Sequence, residues 1–457
     1  MSDNYRVQNP ATDTIVETFD FITDAELETA LAQAHDAFGA WRTSSYDDRA
    51  AVLHKVASLF DANRDYLSRI IAEEMGKPIN QGDGEIGMVV DIFNYYADHG
   101  AEFGADEPLQ HSGGTAVLRR EPLGVLLGVM PWNFPYYQVA RFAAPNLMAG
   151  NTILLKHAEI CPRSSQAIQD IFVSAGAPQG LFTNIYATHD QVRELLADPR
   201  IQGVSLTGSE RAGRAVAAAA GENLKKALLE LGGTDAYIIL DTDDVAAAAK
   251  QAWKKRIANT GQACTSNKRI IVMDDIYDDF VAEMVSLAKQ FTQGDPMNPG
   301  ANEYYPLSSR AAAEKLAGQV RVAVDAGATL HTGGELTGDG AYFTPAVVTD
   351  IPVGSDSFYE EFFGPVAEIY RVSSDDEAVQ LANDSHYGLG GAVFSSDITR
   401  ARNVANRIET GMIHINIPQA GGAELPFGGV KNSGFGRELG PLGMDEFVNK
   451  QLFYVAD

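Results

Sequence analysis

The chain has 457 residues, 61 Asp plus Glu against 35 Lys plus Arg for a formal net charge of −26, 45% hydrophobic residues and two Cys. At about 150 residues per domain this predicts two or three domains, and the apolar fraction excludes disorder as the main state. Phosphate contacts need clustered Lys and Arg, so the charge excludes nucleic acid as a partner and disfavours anionic membranes; two Cys are too few for a disulfide framework.

The opening Met1-Ser2-Asp3-Asn4-Tyr5-Arg6 carries acid where a secretory leader carries base, and no apolar run follows. Thr23 and Glu26 have the spacing of a capping box, after which Leu27, Leu31, Ala34, Phe38 and Trp41 recur at helical spacing. A second helical stretch from about Asp47 carries Val52, Val56, Leu59 and Phe60 until Gly76 and Pro78 stop it. Gly82 to Gly87 then fits G-x-G-x-x-G. Helical sequence rather than a strand precedes it and two acids lie inside it, so it is read as helix packing and not as a nucleotide loop.

The longest uncharged apolar stretch, Leu123 to Ala140, contains Pro131, Asn133, Pro135 and Gln138, which argues against a membrane-spanning helix and for a cytoplasmic protein. Short apolar runs follow at Ala116–Leu118, Val125–Val129, Thr152–Leu155, Ile201–Leu206, Ala236–Leu240 and Ile270–Met273, separated by helical patterns. That alternation predicts an α/β fold with mainly parallel sheets. A new series begins at Ala236, so two α/β domains are expected to meet near residue 231. The alanine runs at 215–220 and 246–249 read as close-packed helix faces.

Four segments carry chemistry. Gly203 to Gly213 reads as a strand entering a helix through Thr207-Gly208-Ser209, where glycines 208 and 213 allow close approach, Ser209 can donate to a phosphate and the helix start offers N–H groups. Pro131-Trp132-Asn133-Phe134-Pro135 fixes a primary amide suited to an oxyanion, against the alternative of a rigid aromatic turn. Glu230 ends an apolar run, an environment that disfavours its charge and suits a general base; a solvated Glu is the alternative. Cys264 sits in the polar turn Asn259 to Ser266, whereas Cys161, beside Pro162, reads as an inert buried thiol. No His, Cys, Asp and Glu cluster has metal-ligand spacing, so no catalytic metal is expected.

Together these segments resemble the NAD(P)-dependent aldehyde dehydrogenase superfamily. The likeness runs from Asn9-Pro10-Ala11-Thr12 through PWNFP at 131–135, LTGS at 206–209, ELGG at 230–233 and GQAC at 261–264. It continues through EEFFGPV at 360–366, Asn383-Asp384, Tyr387-Gly388-Leu389 and PFGGVKNSGFGRE at 426–438. PWNFPYYQVAR, LLKHAEICPRS and NDSHYGLGG resemble the bacterial succinate-semialdehyde dehydrogenase branch.

The resemblance implies that Cys264 attacks the aldehyde carbonyl and that the Asn133 amide and the Cys264 backbone N–H hold the oxyanion. Hydride then leaves to the nicotinamide, and Glu230 activates water to hydrolyse the thioester. It implies further that Lys156 and Glu159 meet the adenosine ribose, Ser209 the pyrophosphate and Glu361 the nicotinamide ribose. Phe363 would buttress the ring, and Trp132, Gly208, Gly213 and Leu231 complete the cofactor contacts. Glu159 favours NAD, because a carboxylate accepts from ribose hydroxyls and repels a 2′-phosphate; Lys156 leaves NADP as the alternative.

For the substrate, Arg141 matches an arginine that holds the distal carboxylate of a semialdehyde, with a structural ion pair as its alternative. The position of a second arginine is Ala258, and Arg256 lies two residues earlier, so a broad-range or aromatic aldehyde is the second reading. Glu230 argues against an enzyme that passes its acyl group to coenzyme A. The presence of Cys264, Glu230 and Asn133 together argues against a non-enzymatic homologue.

The implied architecture is two Rossmann-type α/β domains plus a small β oligomerisation flap. Residues 1–104 and 126–230 form the cofactor domain and 231–422 the catalytic domain. The flap takes 105–125 and 440–457, and 423–439 return to the cofactor domain. Partners would be the small-molecule aldehyde and further copies of the chain, as a homodimer or homotetramer. With an anionic cofactor and substrate, Lys156, Arg141 and helix N-termini are expected to make the pocket locally positive.

Overall fold

The computed structural model describes residues 4–457; Met1, Ser2 and Asp3 of the stretch read for a leader lie outside the described residues. Thr23 opens a first helix, α1 (Asp24–Trp41), with both halves of the capping box formed. Its buried face is Leu27, Ala30, Leu31, Ala34 and Trp41, with Phe38 half-buried. The second helical stretch is two helices, α2 (Tyr46–Ala62) and α3 (Arg64–Met75). Asn63 divides them: its side-chain amide donates to the Leu59 carbonyl at 2.7 Å, offering the backbone an alternative to another helical turn.

Gly76 ends α3 in the left-handed region at φ 79°, and Pro78 precedes α4 (Ile79–Phe103). Gly82 to Gly87 lies wholly inside α4, so the G-x-G-x-x-G match has no strand before it. A Cβ at Gly82 would come within 3.1 Å of Ser68 on α3, and close helix packing is what this glycine permits.

A six-stranded sheet takes, in spatial order, Gly434–Phe435, Lys226–Glu230, Ile201–Thr207, Val125–Met130, Thr152–His157 and Phe182–Asn184. All but the first edge strand are parallel. The chain winds outward from Val125–Met130 in one direction and from Ile201–Thr207 in the other. The strand order therefore reverses between these two, and their carboxyl ends open into residues 131–135 and Gly208-Ser209. In open α/β sheets the crevice at such a switch point is where ligands bind.

A seven-stranded sheet centres on Ala236–Ile239 and Arg269–Met273, flanked by Val366–Val372 and Ala346–Thr349 on one side and Gly391–Phe394 and His414–Ile415 on the other. These strands are parallel, and Thr329–Thr332 adds an antiparallel edge. Buried aliphatic and aromatic side chains cover both faces of each sheet, with α2, α3 and α4 on one face of the first and α1 on the other.

Two expectations shift. Ala116–Leu118 lies in neither parallel sheet: its strand, Gly114–Pro122, pairs antiparallel along its length with Val448–Ala456 and in part with Glu107–Leu109. A three-residue apolar run carries no information about strand direction. The alanine runs are only partly packed, with Ala219, Ala220 and Ala249 buried and Ala215, Ala218, Ala246 and Ala247 facing solvent.

The link from the first sheet to the second is short, from Glu230 to Ala236. Cys264 lies just ahead of Arg269–Met273. The carboxyl edge of one sheet thus meets the amino edge of the other, and the chemistry-bearing segments gather at that seam.

Candidate active site

The nucleophile loop is strained. Asn259 (φ 52°) and Thr260 (φ 53°) are both left-handed, and for a β-branched residue this costs on the order of 1–3 kcal/mol. The loop is held from behind: the Asn259 N–H donates to Gln81 Oε1 at 2.8 Å, and its side-chain amide donates to the carbonyls of Asn133 at 2.9 Å and Gln262 at 3.1 Å. Gly261 follows at φ 74°, where a Cβ would sit 2.3 Å from the Gly364 carbonyl, so no other residue fits. Cys264 emerges half-buried, with its thiol pushed up to about 11. Burial is the main cause and Glu230 and Asp235 add to it, against Arg141 and Lys268.

Asn133 is buried, and its Nδ2 donates to the Gln262 carbonyl at 3.1 Å, which ties the amide to the nucleophile loop. One N–H of that amide is left for an oxyanion. Behind it, Lys77 Nζ donates to the Asn133 carbonyl at 2.8 Å and forms an ion pair with Glu85, both side chains at 0% exposure. Glu85 Oε1 accepts the N–H groups of Tyr136 at 2.8 Å and Tyr137 at 3.1 Å, and Lys77 lies 3.7 Å from the Phe134 ring centre.

Glu230, at the end of its strand, is 1% exposed, and among the described residues neither carboxylate oxygen has a hydrogen-bond partner. Burial, and then the neighbouring Glu438, push it well above the usual carboxylate range, against Arg141 and Arg437. Gly428 closes over it at φ 154°, with a Cβ there 2.8 Å from Glu230 Oε1. Burial also raises Glu438. The two carboxyls interact, so they titrate as a pair.

Arg141 is fully buried. Its Nε lies 2.7 Å from Glu438 Oε2, an ion contact whose angles do not make a hydrogen bond, and among the described residues its Nη2 has no hydrogen-bond partner. Its guanidinium carbon lies 4.0 Å from the Phe427 ring centre. Arg256 does not join it: its three nitrogens donate to the Val366, Phe362 and Gly261 carbonyls and to Ser266.

At the switch point, Ser209 caps the helix Glu210–Glu222 by accepting the Ala212 N–H at 3.3 Å, and the remaining first-turn N–H groups are the anion-binding end of that helix. No side chain crowds Gly208. Gly213 meets protein instead: a Cβ there would be 2.7 Å from Leu231, so this glycine serves helix-to-strand packing and not the approach of a ligand. Lys156 pairs with Glu159, and His189 lies 3.5 Å from the same carboxylate. Burial works the other way, but Lys156 holds the Glu159 carboxyl below its usual range. Glu361 accepts the Gly233 N–H at 3.2 Å and pairs with Lys268, while Trp132 and Phe363 meet edge to face at 5.8 Å. Cys161 is buried with its thiol raised by that burial, as expected of a bystander.

The expectation of a locally positive pocket needs correction. Arg141 and Lys156 each bring their own carboxylate, so neither offers an unopposed charge. Sequence reasoning gave no role to Lys77, Glu85, Asn259, Lys268 or Glu438. Glu438 stood inside a quoted motif, and Lys268 begins the basic pair Lys268-Arg269 between a polar loop and an apolar strand.

The profile of the Aldehyde dehydrogenase family matches residues 1–452. The chain is 48% identical over 445 residues to a Deinococcus radiodurans protein named succinate-semialdehyde dehydrogenase (NADP+), covering 97% of this chain and 93% of the relative. A Mycobacterium avium protein of the same name is 41% identical over 453 residues, covering 98% and 96%. The crystal structure of a succinic semialdehyde dehydrogenase from Streptococcus pyogenes, in complex with NADP+, superposes with a TM-score of 0.96 at 44% identity, covering 99% of this chain and 100% of that one.

Proposed function

Since this chain belongs to the aldehyde dehydrogenase family and is an NAD(P)-dependent oxidoreductase, we propose that it oxidises succinic semialdehyde to succinate through a thioester on Cys264. The observation that carries the substrate is Arg141, a fully buried guanidinium with an unpartnered Nη2 within electrostatic reach of Cys264 and Glu230. A buried donor without a partner costs about 1–3 kcal/mol, and the distal carboxylate of a short semialdehyde supplies what it lacks. The names of the relatives support the same substrate.

In this reading Cys264 Sγ attacks the aldehyde carbon. The developing oxyanion is met by the Asn133 amide and the Cys264 N–H, which are fixed before the substrate arrives. The nicotinamide, when bound, supplies the hydride acceptor. Residues at the switch point fit that group: the Ser209 helix start for the pyrophosphate, Glu361 for the nicotinamide ribose, Lys156 and Glu159 for the adenosine ribose, and Trp132 and Phe363 as ring walls. Glu230, in its deprotonated form, takes the proton of the attacking water. Hydrolysis then frees succinate and the Cys264 thiol.

Between cofactors we favour NAD from Glu159, with NADP as the alternative. The NADP in the relatives' names weighs the other way, and Lys156 could meet a 2′-phosphate. The ratio of kcat/KM for NAD and NADP, in the wild type and in Glu159→Ser, tests this; a large wild-type preference for NADP overturns it. We also propose a cofactor unit of residues 1–104 and 126–230, a catalytic unit of 231–422, and a self-associating flap of 105–125 and 440–457. Supporting the last, Leu452, Phe453, Tyr454 and Val455 are 43–63% exposed along an apolar strand, an edge that a second copy would cover. A cytoplasmic setting belongs to the same proposal.

The test is reduced-cofactor absorbance with succinic semialdehyde, with butyraldehyde as the neutral comparator, with and without coenzyme A, and in Cys264→Ala. Preference for the semialdehyde, indifference to coenzyme A and loss of signal in Cys264→Ala are expected. Equal use of butyraldehyde overturns the substrate, and signal in the variant overturns the mechanism.

A further inference from the structure

Lys268 is a buried cation that the mechanism above does not use. Its side chain is 0% exposed, and its three donors go to the carbonyls of Ala263 at 2.9 Å and Cys264 at 2.8 Å and to Glu361 at 2.7 Å. Glu361 in turn accepts the Gly233 N–H, and a Cβ at Gly232 would lie 2.6 Å from its other oxygen. One ion pair thus joins the nucleophile turn, the turn after Glu230 and the segment read as the nicotinamide-ribose contact. We propose that Lys268 is a positioning residue that couples occupancy of the ribose site at Glu361 to the reactivity of the Cys264 thiol. The inference rests on the reading of Glu361 as a ribose contact.

The physical argument is one of charge. While Glu361 faces Lys268, it neutralises an ammonium that is hydrogen-bonded to the Cys264 carbonyl. Ribose hydroxyls donating to Glu361 draw its negative charge toward themselves and leave the ammonium less compensated. An under-compensated cation beside a thiol favours the thiolate. The charged and titratable groups that face Cys264 are Arg141, Lys255, Lys268, Glu230, Asp235 and Tyr137. Among these, Lys268 contacts both the cysteine turn and Glu361. The resting thiol is raised, so a cofactor-dependent fall has room to act.

ADP-ribose is the probe, because it carries the ribose hydroxyls without the charge of the nicotinamide ring. The readout is the pH midpoint of Cys264 alkylation by iodoacetamide, with binding followed separately by calorimetry. In the wild type ADP-ribose should lower the midpoint by about 1 pH unit, the low end of what a neighbouring charge does. In Lys268→Met the shift should vanish while ADP-ribose still binds. Glu361→Gln should lower the midpoint without any ligand, because it removes the neutralising charge, and this variant decides the matter alone if Lys268→Met does not fold. An unchanged shift in Lys268→Met, or an unchanged or raised midpoint in unliganded Glu361→Gln, overturns the coupling. Unchanged ADP-ribose affinity in Glu361→Gln instead overturns the ribose reading, and the coupling with it.

Discussion

The two sides of the Cys264 loop treat buried charge in opposite ways. Behind it, Lys77 and Glu85 are completely buried yet matched: the ammonium reaches Glu85 and the Asn133 carbonyl, and the carboxylate takes two backbone N–H groups. In front, Glu230 and Glu438 are buried too, but among the described residues no oxygen of either has a hydrogen-bond partner, and Arg141 makes an ion contact with Glu438. A matched pair fixes geometry, while an unmatched one holds a shifted proton. The rear network holds Asn133 and the strained Cys264 turn in place, and in the proposed mechanism the front groups await a carboxylate substrate and a water.

Breaking the front should cost the most. Cys264→Ala is expected to lower kcat by at least about a thousandfold with cofactor affinity unchanged, since removing a covalent nucleophile leaves only binding and positioning. Asn133→Ala should lower kcat by about 10²–10³ with little change in KM, the mark of a donor used in the transition state. Arg141→Ala should lower kcat/KM for succinic semialdehyde by about a hundredfold and leave butyraldehyde nearly unaffected, which paired assays would read.

The rear should respond first in stability. Lys77→Met leaves the Glu85 carboxylate buried and alone, a loss of about 3–5 kcal/mol in denaturant unfolding. The double variant Lys77→Met with Glu85→Gln should recover most of that stability. If it also recovers full kcat, the rear pair does not position Asn133.

The smallest effect is a pH dependence of stability. The Glu230 carboxyl is raised in the folded state, so the fold binds its proton more tightly than the unfolded chain does. Wild-type stability from this group is then full below the ordinary carboxylate range and is lost as pH rises above it. Glu230→Gln should therefore gain Tm relative to the wild type at pH 9 and not at pH 4; the reverse order would contradict the raised carboxyl.

The front was the more legible side. Asn133, Glu230 and Cys264 each close or precede an apolar run, so periodicity and Gly or Pro punctuation locate them, and their residue types suit the chemistry. The rear was not, because its contacts join positions far apart in sequence: Lys77 reaches Asn133 across 56 residues and Gln81 reaches Asn259 across 178. Nothing local marks such a pair, and the G-x-G-x-x-G pattern that overlaps it reads only as helix packing. Strand alternation gave the parallel sheets, but not the division at Asn63 or the antiparallel pairing of Gly114–Pro122, which depend on one side-chain hydrogen bond and on a strand at the far end of the chain. For Arg141 both readings were visible; the structure shows the ion contact with Glu438 and, among the described residues, an Nη2 without a hydrogen-bond partner.

The central claim is a covalent acyl intermediate on Cys264 that Glu230 hydrolyses. Glu230→Gln, mixed with succinic semialdehyde and the oxidised cofactor and quenched in acid, should show a burst of reduced cofactor stoichiometric with sites. One succinyl group should appear by mass spectrometry on the peptide containing Cys264. Full turnover without a burst, or a burst with that peptide unmodified, would contradict the account.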